Sequence, residues 1–165
     1  MATFVRACAV GDLEAAQRIW RDQRIEIEVI QESTRAFWEA CMSGHLHVAK
    51  WLHDDLGAVN LNAWGEGAFR WACAHGRLEV AKWLHGLGGM YSPASVMKSV
   101  FQHACKHGDL QVAQWLLQLG GVDIHEGGDE AFRAAVQRLH PRVAWWLVGL
   151  QPDWAWPAPW MEALL

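Results

Sequence analysis

The chain has 165 residues, of which 52% are hydrophobic and 19% charged, and its formal net charge is −4. This apolar content suffices for a hydrophobic core and excludes global disorder, whereas the negative charge argues against a general nucleic-acid binder. No apolar run is long enough for a transmembrane helix, and the N-terminus reaches charged residues too early for a signal peptide, so we expect a soluble, intracellular and cytoplasmic protein.

One unit recurs from the N-terminus to about residue 150. Phenylalanine, cysteine and tryptophan share a period of 31 to 33 residues, which predicts a stack of similar structural units. The recurring residues are Phe4, Phe37, Phe69, Phe101 and Phe132, then Cys8, Cys41, Cys73 and Cys105, then Trp51, Trp83, Trp115 and Trp146. We predict a single domain, 1–165, with units at about 1–35, 36–67, 68–99, 100–130 and 131–150 and a C-terminal capping tail at 151–165.

Each unit divides at a glycine, which allows one helix to end in a left-handed residue before the next begins. We predict a first helix of roughly two turns before it, a longer second helix after it, and then a connector of about 15 residues. The dividing glycines are Gly11, Gly44, Gly76 and Gly108, and Leu139 takes this place in the fifth unit. Asp12 and Asp109 are predicted N-caps of second helices, and Pro141 suits the first turn of the last one.

These units resemble ankyrin repeats, on the basis of the period, of G-H-L-H-V-A-K-W-L at 44–52 and of G-G-V-D-I-H at 120–125. The resemblance implies an all-α, ankyrin-like repeat solenoid of about five helix-turn-helix units, in which first helices and finger-like connectors line a concave groove. The family's T-P-L-H helix start is absent. The aromatic-rich version of the unit is similar to arrays common in giant DNA viruses and protists, which would place a viral chain in the host cell cytoplasm.

The cysteine and tryptophan ladders are expected to be core residues. Equivalent positions on stacked helices lie about 8–10 Å apart, too far for a disulfide. No C-x-x-C pair and no H-E-x-x-H motif occurs, so we predict no metal site. No phosphate-binding loop, nucleophile elbow or other catalytic constellation is recognisable, and we expect neither a cofactor nor an enzymatic activity.

Several first-helix residues are candidates for partner binding. Trp38 and Trp71 occupy positions where other units carry polar or charged residues, which indicates exposure, and Trp64 is an exposed candidate in a predicted finger. Lysine and arginine concentrate in the predicted first helices, and acidic residues concentrate in the connectors. This distribution predicts a concave groove with a basic, aromatic floor formed by the first helices and an acidic rim formed by the connectors. The alternative is that these residues are ordinary solvent-exposed charges. The predicted partner-binding residues are Trp38, Arg70, Trp71, His75, His103, Lys106, His107 and Arg133.

The predicted function is a non-enzymatic protein–protein interaction scaffold whose partner carries acidic and apolar groups. The alternative is nucleic-acid binding through the same floor, since arginine and tryptophan can meet phosphate and base. No membrane association is expected. The tail, with Trp154, Trp156 and Trp160, is predicted to fold back over the last repeat of a monomer, and the alternative is a homodimer formed through the tail.

Overall fold

The computed structural model describes residues 3–22, 28–57, 61–87, 94–120, 122 and 124–150, and within these ranges the chain consists of helices joined by turns. No strand occurs within these ranges, so the predicted all-α class is confirmed. None of their helices is long and apolar enough to cross a membrane. The helices are α1 (Phe4–Val10), α2 (Leu13–Asp22), α3 (Glu28–Ser43), α4 (Leu46–Lys50), α5 (Leu61–Ala74), α6 (Leu78–Gly86), α7 (Ala94–His107), α8 (Leu110–Gln118), α9 (Ile124–Gln137) and α10 (Pro141–Leu150). Helix α4 continues directly into a π-helical turn, Trp51–Asp55.

The chain forms two compact units. The first comprises Met1–Ala72 and Arg77–Tyr91, and the second comprises Cys73–Gly76 and Ser92–Leu165. The first unit contains α1 to α4, most of α5, and α6, whereas the second contains α7 to α10. In both units a first helix, a tight turn and a second helix follow one another, as the repeat pattern predicts.

The tight turn between paired helices has the same hydrogen bonds in all five repeats. In each repeat the backbone N–H of the residue after the dividing position donates to the carbonyl of an alanine five residues earlier, at 2.8 to 3.0 Å. This bond closes a Schellman-type helix end, which requires a left-handed residue one position earlier. Gly11, Gly44, Gly76 and Gly108 supply it with φ between 67° and 88°, and Leu139 supplies it in the fifth repeat with φ 59°.

A side chain from the following repeat also packs closely against each of these glycines. A Cβ atom at Gly11 would lie 2.5 Å from Nδ1 of His45, and one at Gly108 would lie 2.6 Å from Nδ1 of His140. Glycine is therefore required here for its conformation and for the close approach. His45, Arg77, Asp109 and His140, which follow the left-handed residue of the second to fifth repeats, each contact the glycine of the preceding repeat.

Of the two predicted N-caps, one is confirmed. Asp12 Oδ1 accepts from the N–H of Ala15 at 2.9 Å and caps α2. Asp109 stands at the start of α8 but its side chain makes no capping hydrogen bond. The reason is that its carboxylate lies against Gly76 of the preceding repeat. Pro141 begins α10, as predicted.

Aromatic pairs hold successive repeats together inside each unit. The phenylalanine of one first helix contacts the tryptophan of the next repeat's second helix, with ring centroids 6.2 Å apart for Phe4 and Trp51 and 6.3 Å apart for Phe101 and Trp146. Phe37 meets Trp83 in the same way. Such pairs contribute about 0.5–1.5 kcal/mol each beyond the area they bury. The predicted packing role of the tryptophan ladder is confirmed for these three.

The four cysteines are fully buried with free thiols, which confirms their predicted place in the core. Burial raises the pKa of each thiol to about 12, and the carboxylate of Asp109 adds to the effect on Cys73. Because the thiolate is the reactive form, these side chains are inert at neutral pH.

Four of the five first helices are longer than the predicted two turns, and only α1, with seven residues, has the predicted length. Helices α5, α7 and α9 have 14 residues each and α3 has 16, so much of each predicted connector is helical. The added turns are amphipathic: in α7 they bury Val96 and Met97. Trp64 belongs to α5 instead of a finger, and its side chain lies outside the described residues. The predicted tail, 151–165, also lies outside them.

Candidate binding surface

The eight predicted binding residues fall into two sets, one on each compact unit. Trp38 lies on α3, and Arg70 and Trp71 lie on α5, all in the first unit. The second unit carries the other five, with His75 just after α5, with His103, Lys106 and His107 on α7, and with Arg133 on α9. Each set therefore has its own surroundings.

In the first unit the two tryptophans differ. Trp71 is 44% exposed, as predicted. Trp38 is only partly exposed, because its six-membered ring lies against Gly67 of α5, where a Cβ atom would come within 2.7 Å of the ring. Full exposure of Trp38 was the wrong expectation, and Gly67 is the residue that makes room for it. Arg70 pairs through Nη2 with Glu66 Oε1 at 2.8 Å, one turn earlier on the same helix.

In the second unit a groove of about 390 Å³ runs between α7 and α9. Its walls bring together three of the predicted residues, His103, Lys106 and Arg133. The remaining lining residues are Gln102, Glu130, Ala134 and Gln137. Gln102 Nε2 donates to Glu130 Oε2 at 2.8 Å and ties the two helices together across the groove. The groove thus combines two permanent cations, one carboxylate and two amides around a small apolar residue.

His103 and His107 form a stacked pair on α7. Their rings are 6.3 Å apart between centroids and inclined by only 9°. His103 Nδ1 lies 3.1 Å from the carbonyl oxygen of Ser99, so Nδ1 donates and the free lone pair of the neutral ring is on Nε2. The four-residue spacing is the sequence signal for this pair, because residues i and i+4 share a helix face.

The pKa of His107 is lowered. Loss of solvent around the ring is the largest cause, followed by repulsion from His103, and Lys106 and Arg138 act in the same direction against the opposing attraction of Asp109. The His107 imidazole is therefore neutral at pH 7.

The predicted separation of a basic floor from an acidic rim does not hold. Glu32, Glu66 and Glu130 were assigned to connectors, but they lie on the first helices α3, α5 and α9 and are exposed there. Because these helices extend into the predicted connectors, acidic and basic side chains share one helical surface. Opposite charges lie side by side in two places. Arg70 pairs with Glu66, and Glu130 lines the groove together with Lys106 and Arg133.

The described residues contain no cluster of three or more histidine, cysteine, aspartate or glutamate side chains able to hold a metal ion. The buried thiols are poor nucleophiles for the reason given above. What this surface offers is charge, hydrogen bonding and exposed aromatic area, which are the means of non-covalent recognition.

The fold and the repeated turn agree with the comparison with known families. The family described as ankyrin repeats (many copies) matches residues 37–85 and 101–148, more than half of the chain. The chain belongs to the ankyrin repeat family. Ankyrin repeats in general mediate protein–protein interaction and are typically non-enzymatic. A search of curated proteins finds no match for the chain.

Proposed function

We propose that the chain is a non-enzymatic module that binds a protein segment with acidic and apolar side chains on the surfaces of its first helices. The observation that carries this proposal is the groove between α7 and α9, where His103, Lys106 and Arg133 lie together. In the first unit Trp71 offers exposed aromatic area for the apolar part of such a segment.

The chemistry of the groove suits a carboxylate side chain. A guanidinium such as that of Arg133 can grip both carboxylate oxygens, and the ammonium of Lys106 adds a point charge. Gln102 and Gln137 can hydrogen-bond the backbone of an extended segment, and Ala134 leaves space for it. Charge-assisted contacts of this kind set specificity and orientation more than raw affinity.

Nucleic acid is the less favoured partner. A phosphate backbone carries one charge per nucleotide and needs a continuous run of cations. Here Glu66 accompanies Arg70, and Glu130 stands in the groove beside Arg133, so a long polyanion would meet repulsion on both units. A short acidic segment can place its carboxylates between these glutamates.

Random-peptide display with the full chain as bait tests the proposal. We expect enrichment of peptides in which aspartate or glutamate is close to an aromatic or aliphatic residue. The double substitution Lys106→Ala with Arg133→Ala should weaken binding of the selected peptides at least tenfold, because both groove cations are lost. Lys82→Ala with Arg142→Ala is the control, since it removes the same charge from exposed positions on second helices and should leave binding unchanged.

Enrichment of peptides without acidic residues, or equal loss in both double variants, would show that the groove is not the binding surface. Capture of macromolecules from a lysate, with and without nuclease, separates the two classes of partner. Recovery that nuclease treatment abolishes would replace the protein partner by nucleic acid.

A further inference from the structure

We propose that His103 and His107 together form a two-ligand site for a divalent transition-metal ion that prefers imidazole nitrogen, such as Ni²⁺ or Zn²⁺. The site belongs to α7 alone and does not depend on the proposed protein-binding function. Its starting point is the placement of the two exposed rings one helical turn apart, with centroids separated by 6.3 Å.

The helix supplies the spacing that chelation needs. Side chains at i and i+4 project from the same face, which is how paired histidines on a helix bind zinc. Metal–nitrogen bonds of about 2.0–2.1 Å require the ring centroids to approach to roughly 5 Å. The rings now stand 6.3 Å apart in nearly parallel planes. His107 is exposed, so rotation about its side-chain bonds can bring its ring closer and turn it until both nitrogens point at one ion, while His103 keeps its position.

The tautomer of His103 is already the one that a metal site uses. Metal-bound histidines usually donate their other ring N–H to a carboxylate or a backbone carbonyl, which fixes the ring and raises its basicity. The bond from His103 Nδ1 to the Ser99 carbonyl is of this kind and leaves Nε2 as the nitrogen that can bind a metal. A histidine without this hydrogen bond would not be held in the tautomer that binds a metal through Nε2.

The charged side chains around the two histidines limit the affinity of the site for a metal ion. Lys106 and Arg138 act on His107 from α7 and from the turn after α9, and Arg133 stands with His103 at the groove. Asp109 and Glu130 oppose these cations. Three cations against two carboxylates leave the surroundings net positive, which weakens the binding of a metal cation. We therefore expect moderate affinity at most, with water in the remaining coordination positions.

Isothermal titration of the full chain with Ni²⁺ and with Zn²⁺ at pH 7.5 tests the site. We expect one saturable site per chain, weakened at least tenfold by His103→Ala and by His107→Ala. His75→Ala is the matched control, because His75 occupies the position of His107 in the preceding repeat but has Trp71 in place of the first histidine. That substitution should leave the affinity unchanged. Circular dichroism confirms that each variant keeps its helices, as expected for exposed positions.

The pH dependence of binding makes the test stricter. Lowering the pH from 7.5 to 5 should abolish binding, because protons compete with the metal for imidazole nitrogen. Unchanged affinity in His103→Ala or His107→Ala, or an equal loss in His75→Ala, would overturn the proposal, since the metal would then be bound elsewhere.

Discussion

At the scale of single residues, the five helix-to-helix turns are a series with one exception. Four of them have glycine in the left-handed position, and the fifth has Leu139, which is 81% exposed. The left-handed conformation costs a residue with a side chain about 1–2 kcal/mol. Since the Leu139 side chain buries little surface, little packing offsets this cost. The last turn is therefore under strain that the other turns do not have.

Replacing Leu139 with glycine should stabilise the protein. The relief of backbone strain exceeds the extra entropy of glycine in the unfolded chain, so we expect a gain of roughly 0.5–1 kcal/mol in the free energy of unfolding. Urea denaturation followed by circular dichroism measures it. The reverse change at an equivalent position, Gly108→Ala, is the control and should destabilise, because it adds strain and meets the ring of His140. A loss of stability in Leu139→Gly would contradict the assigned conformation.

At the scale of elements, the first helices α1, α3, α5 and α7 each contribute one buried thiol. In the unfolded chain a thiol ionises near pH 9, whereas in the folded chain burial holds its pKa at about 12. Between these values the folded state binds more protons than the unfolded state. The free energy of unfolding therefore falls as the pH rises above 9 and does not change through this term below it.

We expect alkaline destabilisation that depends on the number of cysteines. Each thiol should lower the free energy of unfolding by about 1 kcal/mol per pH unit above pH 9. Urea midpoints at several values between pH 8 and pH 10 measure the slope. The double variant Cys41→Ala with Cys105→Ala should show about half of it, because alanine fits the space and does not ionise. A slope that is the same in this variant would place the alkaline loss in other groups.

The length of the first helices shows where sequence reasoning reached its limit. The period, the dividing glycines and the phenylalanine and tryptophan ladders depend on residues that repeat, and these were predicted correctly. The added turns of α3, α5, α7 and α9 come from segments that differ from unit to unit. Burial of Val96 and Met97 in α7 is a tertiary effect, and a pattern sought only at the repeat period does not reveal it.

At the scale of the whole molecule, the candidate site was predictable in composition but not in arrangement. Grouping by repeat frame selected His103, Lys106 and Arg133, and the structure places these three residues in one groove. The hydrogen bond across the groove was not predictable from the sequence, because Gln102 and Glu130 are 28 positions apart in the chain. The same holds for the packing of Trp38 on Gly67, which depends on how two repeats meet.

The end of the described array explains why the tail matters. Trp146 faces Phe101 with a centroid distance of 6.3 Å, whereas its neighbour Trp145 is 45% exposed. Adjacent residues on a helix point about 100° apart, so the two tryptophans of α10 cannot share one buried stripe. Terminal repeats of a solenoid need a cover for the side that no further repeat occupies. The sequence beyond α10 contains Trp154, Trp156 and Trp160 and very few charges.

Deletion of residues 152–165 tests the prediction that this tail caps the last repeat. Burial of one tryptophan contributes on the order of 2–3 kcal/mol, so loss of a cap should lower the thermal midpoint and promote aggregation of a chain that is monomeric at full length. A tail that dimerises predicts instead a full-length dimer and a soluble truncated monomer. Sedimentation equilibrium of both chains, together with thermal denaturation, separates these outcomes. A full-length monomer whose stability and solubility do not change on truncation would contradict both, because the tail would then cover no apolar surface.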